Sequence, residues 1–127
     1  MTEDVGKLVL RLTLGLLMLL HGIAKIRTGI GGIEGMLEAN GLPAFIALGV
    51  YVGEVVAPLL LILGFHARTG SALIVVNMLF AIGLAHLGDV ASLNRTGGWG
   101  IELQAFYLFT AVAVLLLGPG RYAINRR

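Results

Sequence analysis

Four runs of mostly apolar residues, each about twenty long, dominate this chain and leave it few ways to fold. They fall at roughly residues 5–26, 42–63, 69–87 and 99–118, and about 20 apolar residues in an α-helix suffice to cross the ~30 Å hydrocarbon layer of a bilayer. A water-soluble helical protein needs polar residues recurring along each helix, and these segments are too apolar all round to supply such a face. The charged fraction agrees, at 13% of the 127 residues against about 25% in an ordinary soluble domain. The expected class is all-α: a single four-span integral membrane domain whose solvent is the lipid bilayer. Its antiparallel helices, on short connections, would form an up-down four-helix bundle. Lys7 ahead of the first run resembles the start of a secretory signal. Arg11 interrupts that run, however, no small-residue cleavage site follows, and three similar runs come later, so a retained helix is expected.

Glycine and proline mark the junctions between spans. Pro43 opens the second span in the first helical turn, where its missing N–H does no harm, and the turn at Gly64 follows it. The third span begins after Arg68 and runs out at Gly88; the fourth follows RTGGWG and stops at GPG. Between the first two spans, Ile30, Ile33 and Leu37 recur at helical spacing while Glu34 and Glu38 share another side. That pattern predicts a short interfacial helix lying on the membrane surface and stopped by Asn40-Gly41. The segment GDVASLNRTGG is expected to be an irregular polar loop. Lys7, Arg68, Arg121, Arg126 and Arg127 would share one side of the membrane and Lys25, Arg27 and Arg95 the other, which puts both termini in the cytoplasm. Trp99 and Tyr122 fall near opposite interfaces, as aromatic anchors do. The formal charge of +2 sits at the ends of apolar runs and not along one face with interleaved aromatics, so no nucleic-acid partner is expected. With no cysteine the chain does no thiol chemistry of its own, and any redox role needs a bound cofactor or a partner protein.

Charges inside such spans demand an explanation, because an unpaired charge at a helix centre costs at least about 2.5–3.5 kcal/mol in lipid. At about 100° per residue, Arg11, Met18, His21, Gly22 and Lys25 form one stripe on the first helix. On the second, Tyr51, Glu54, Pro58 and Leu61 share a face, and Pro58 cannot donate to the Glu54 carbonyl. The third brings Asn77 and, near its outer end, His86; the fourth brings Glu102, Gln104, Tyr107 and Thr110. Counting depth at about 1.5 Å per residue predicts two layers. One is an inner Arg11–Glu54 ion pair. The other is an outer cluster of His21, Lys25, His86 and Glu102 able to bind a ligand, with Tyr51, Asn77 and Gln104 as supporting polar groups. Simpler roles compete: the ion pair could only fix helix register, Lys25 could snorkel to the interface, and Asn77 and Gln104 could bond across helices.

Two imidazoles on separate helices, His21 and His86, could ligate a haem or, with carboxylates, a metal. No HxxxH or ExxH spacing supports that reading, and no metal site is assigned. A bundle mouth lined by histidine, lysine and carboxylate suits the polar head of a quinone or another small amphiphile, with a histidine as proton donor. Gly49, Gly53 and Ala57 form a small-residue ladder that permits close helix approach within the chain or in a homo-oligomer, the intrachain use being preferred.

RLTLGLLMLLHGIAKI followed by GLP, a span holding Glu54 and ending LLLILGFHAR, and Glu102 ahead of LLLGPGRYAINRR together resemble the DoxX-like family of small bacterial membrane proteins. The resemblance covers nearly the whole chain in the family's order, and RLxLGxxxLxHGxxK and GPGRY are its most distinctive parts. Where the family usually has an acidic residue shortly after GPGRY, this chain has Asn125. The resemblance implies a four-helix protein of the bacterial inner (cytoplasmic) membrane, with Arg11, His21, Lys25, Glu54 and Glu102 as the matching polar positions. On activity it implies less. The family name looks back to a subunit of a thiosulfate:quinone oxidoreductase, and other relatives are described as parts of membrane redox complexes handling oxidative or thiol stress, which by itself assigns no enzyme. The leading expectation is a small membrane subunit or accessory of a redox system that binds a quinone-like amphiphile. The alternatives are a transporter or channel component for a small solute or proton, in which Glu54 titrates, and a structural or assembly partner with no ligand.

Overall fold

The computed structural model of the protein describes residues 1–85, 88, 90–93 and 97–125, and within them the chain is helical apart from turns and one isolated bridge between Leu93 and Trp99. Helix α1 runs Thr2–Thr28, longer at both ends than the apolar run that predicts it. Glu3 and Asp4 in its first turn and Lys25 and Arg27 in its last complement the helix dipole, which favours anions at the start and cations at the end. Helix α2, Gly31–Ala39, is the short helix expected after it, and it stops at Asn40 and at Gly41, whose φ is 75°. Helix α3 spans Ala44–Leu63, α4 spans Ala67–Ala85 and α5 spans Glu102–Leu117. Among the described residues three helices, α1, α3 and most of α4, are long and apolar enough to cross a membrane. The fourth expected span begins later than the sequence pattern suggests: Trp99–Ile101 form a turn, leaving α5 with 16 residues, about 24 Å of helix.

Helix α3 is not uniform. Pro43 caps a 3₁₀ segment, Ala44–Leu48, and after one α-turn the backbone widens into a π-turn at Val52–Val56 before resuming α geometry at Ala57–Leu63. Pro58 lacks an N–H and so cannot close the ordinary bond to the Glu54 carbonyl. The Ala57 N–H instead reaches five residues back to Val52, and such π-turns recur where a helix serves a site. At its far end Gly64, with φ 70°, completes a Schellman stop: its N–H bonds Leu61 at 3.2 Å and the Phe65 N–H bonds Leu60 at 3.0 Å.

Helices α1 and α3 lie antiparallel, and their register is readable from four contacts. Arg11 touches Gly64, Gly15 lies against Pro58 and Leu61, Gly22 lies against the backbone of Glu54, and the Tyr51 hydroxyl reaches the Lys25 carbonyl at 3.4 Å. Two members of the small-residue ladder of α3 face α4, Gly53 against Asn77 and Ala57 against Gly70, and serve packing inside the chain, while a Cβ at Gly49 would meet nothing within 4 Å. The core where these helices meet contains Leu14, Met18, Leu61, Ile74, Met78 and Val114. The outside is the reverse of a soluble protein: Leu16, Leu20, Val56, Leu79, Phe106 and Phe109 are all exposed, a surface suited to acyl chains.

The segment following α5 folds back across the end of the molecule where α1 and α4 begin. Gly118 and Gly120, with φ 82° and 80°, turn it. Its Ile124 and Asn125 N–H groups donate to the carbonyls of Leu63 and Gly64, and the Asn125 side-chain oxygen accepts the His66 N–H at 2.9 Å, just ahead of α4. The side-chain amide oxygen at this position thus does work that a carboxylate would also do.

A methyl group on Gly22 would collide with the Glu54 backbone and the Val55 side chain, whereas Gly6 faces open space. Gly22→Ala is therefore expected to lower stability by about 1–3 kcal/mol, while Gly6→Ala leaves it unchanged or slightly raised; equilibrium unfolding in mixed micelles compares the two.

Candidate functional site

Glu54 sits in the π-turn of α3 and is buried, 3% exposed. Both of its oxygens are occupied. The Lys25 ammonium donates to Oε1 at 2.5 Å and to Oε2 at 2.7 Å, and the Asn77 side-chain amide donates to Oε2 at 3.0 Å. Helices α1, α3 and α4 each give one member of this triad. The burial is lopsided: the lysine side chain is 31% exposed against 4% for the glutamate. The anion is therefore locked in place while its cation is open to whatever lies beside it.

Two clefts share the ion pair as a common wall. One, of about 130 Å³, is lined by Met18, His21, Leu103, Gln104 and Tyr107 beside Lys25 and Glu54. Here the His21 and Tyr107 rings meet edge to face at 5.5 Å. The other, of about 220 Å³, runs between α2, α3 and α4 past Ile33, Met36, Val50, Asn77 and Phe80. It continues into an apolar groove of about 270 Å³ through the shared residues Ile33, Val50, Asn77, Phe80 and Leu84. Polar groups thus cluster on one side of the pair and hydrocarbon on the other.

The expected inner pair of Arg11 and Glu54 does not form. Gly22 is the α1 residue level with Glu54, and Arg11 lies three turns away, about 16 Å along the axis. Side chains on a helix also lean toward its N-terminus, which carries the arginine further off and brings Lys25 down onto Glu54. Arg11 is fully buried, and donates to the carbonyls of Pro119 at 3.0 Å and Tyr122 at 2.7 Å. Two main-chain dipoles take the role expected of a carboxylate.

Of the expected outer cluster, His21 and Lys25 share the smaller cleft. Glu102 does not join them; it is exposed and lines a separate apolar cleft with Trp99, Phe106 and Thr110. The turn at Trp99–Ile101 starts α5 so that Leu103, Gln104 and Tyr107 face the ion pair. His86 lies outside the described residues. Among the described residues no three histidine or carboxylate side chains converge where they could hold a metal. Of the supporting groups, Asn77 bonds Glu54, Tyr51 bonds the Lys25 carbonyl, and Gln104 lines the cleft. Tyr107 is the addition to the site, and its signal in the sequence is its place one turn beyond Gln104.

An apolar exterior and membrane-length helices around a buried ion pair define a small, multi-helix membrane protein. The chain belongs to the DoxX family, whose pattern it matches over residues 6–87. It is similar to "Inner membrane protein YqjF" of Escherichia coli, with 32% identity across 98% of this chain and 92% of that one. It is also similar to "Putative oxidoreductase CatD" of Bacillus subtilis, 26% identical across 96% and 86% of the two chains. An uncharacterized membrane protein of Mycobacterium tuberculosis, Rv3486, is 32% identical across 93% and 78%. No solved structure matches the chain.

These contacts predict opposite outcomes for two double-mutant cycles read by unfolding. Lys25→Met with Glu54→Gln should show a coupling of about 0.5–3 kcal/mol, and Arg11→Met with Glu54→Gln should be additive within about 0.5 kcal/mol.

Proposed function

We propose that this protein is a four-span subunit or accessory of a redox system in the bacterial inner membrane, both termini in the cytoplasm, that binds a quinone or a similar amphiphile at the Lys25–Glu54–Asn77 triad. The observation that carries the reading is the position of the triad between a cleft with titratable side chains and an apolar groove. An amphiphile needs both: donors for its oxygens and hydrocarbon for its tail. Lys25, partly open and held by Glu54, supplies a fixed cationic donor. His21 and Tyr107 supply groups able to exchange a proton with a bound oxygen, and the groove between α2, α3 and α4 accepts the tail. The similarity to a protein named an oxidoreductase supports a redox setting. The cysteine-free chain takes its electrons from a partner or a bound cofactor. Helix α2 lies at the membrane surface in this arrangement and forms the outer lip of the groove.

Thermal-shift titration with a short-chain quinone is expected to be saturable for the wild type. Lys25→Met and Tyr107→Phe should weaken it by tenfold or more, and Glu102→Gln, in the separate cleft, should leave it unchanged. Absence of a saturable response removes the reading.

The ion pair also separates two clefts, as a gate would, and this favours transport of a small solute or proton as the second reading. Flux into liposomes that is lost in Glu54→Gln would establish it, and no flux from either protein would dismiss it.

A further inference from the structure

The end of the molecule where α1 and α4 begin carries a further cleft, of about 320 Å³, remote from the ion pair. Three cations from three parts of the chain line it: Lys7 of α1, Arg68 of α4 and Arg121 of the segment following α5. Among the described residues none of these side chains has a hydrogen-bonding or ionic partner. Asp4 is the one carboxylate in the lining among the described residues, and its Oδ1 already accepts the Arg121 backbone N–H at 3.1 Å. Positive charge among the described residues therefore exceeds negative in the cleft by two.

The cations are also held together by the backbone. Gly118, Pro119 and Gly120 form the floor of the cleft. At Gly118 a Cβ would come 2.8 Å from the Arg68 guanidinium, and at Gly120 it would come 3.0 Å from Lys7. The turn that glycine permits thus lets the chain pass close to the Arg68 guanidinium and the Lys7 side-chain stem. Three like charges lining one cleft with a single carboxylate among them repel one another more than that carboxylate offsets, and an added anion would relieve the excess. Leu117 at the edge supplies apolar contact where the helix surface begins.

From this geometry we infer a binding site for a phosphate-bearing anion, either the headgroup of an anionic phospholipid or free phosphate. Basic pockets between helix ends at the membrane surface bind lipid headgroups through the same charge pattern. Guanidinium groups, moreover, match two phosphate oxygens at once. The site stands independently of the quinone cleft.

The test is a thermal-shift titration of the purified protein in neutral detergent. The probes are a short-chain phosphatidylglycerol, a phosphatidylcholine of the same chain length, and inorganic phosphate. A saturable rise in Tm with phosphatidylglycerol and none with phosphatidylcholine or phosphate assigns a lipid headgroup; a response to phosphate assigns the free anion. Arg68→Gln and Arg121→Gln should each weaken the response about fivefold, and Arg27→Gln at the opposite end should leave it unchanged. Equal responses to the two lipids with none to phosphate, or responses that survive both substitutions together, overturn the site. If the double variant does not fold, Arg121→Gln alone, at an exposed position, and the wild-type lipid comparison decide.

Discussion

The structure depends on the approach of α1 to α3 at Gly22. Because that residue has no side chain, the two backbones come close enough for the Glu54 carbonyl, left without its usual donor by Pro58, to lie against α1. The same approach brings the Glu54 carboxylate within reach of Lys25, one turn further along α1, and of Asn77 across the small Gly53. A buried carboxylate in lipid is tolerable only with partners of this kind, since the cost of an isolated charge exceeds what helix packing returns. Backbone geometry and electrostatics are therefore one problem in this protein: moving the helices apart would strand the charge.

Much of this was legible in the residues. Apolar length located three membrane-length helices and the shorter α5 to within a few residues, and the Ile30, Ile33, Leu37 spacing located the short α2. The stripe on α1 was also readable: Arg11, Met18 and Gly22 are buried and Lys25 is half-buried. His21 lies at its exposed edge. What depth counting could not supply was the register between helices. It lets the long arginine side chain close the gap to Glu54, whereas a lysine or arginine leans toward the helix start and is displaced by about a turn in that direction. That error assigned Glu54 to the wrong cation. The register was written in the sequence less visibly, in the glycines of α1 and the proline of α3, which mark where backbones touch.

Glu102 shows a different limit. Its depth matched His21, but depth says nothing about which side of α5 it faces, and the turn at Trp99 rotates it onto a separate surface. The acceptors of Arg11 were equally hidden, because main-chain carbonyls carry no signature of their own. GPGRY stands out as a motif, but no residue type in it marks the Pro119 and Tyr122 carbonyls as a pair of acceptors.

That purpose bears on how the protein is made. The oxygens that accept from the two terminal nitrogens of Arg11 lie 108 and 111 residues downstream, so during synthesis the first segment is made before the acceptors its guanidinium has in the finished fold. Until translation reaches the closing turn, that group can only be solvated from the aqueous edge. Final seating of the leading segment is accordingly deferred to the last stage of biogenesis, and truncation near the carboxyl end would be felt at the opposite end of the polypeptide.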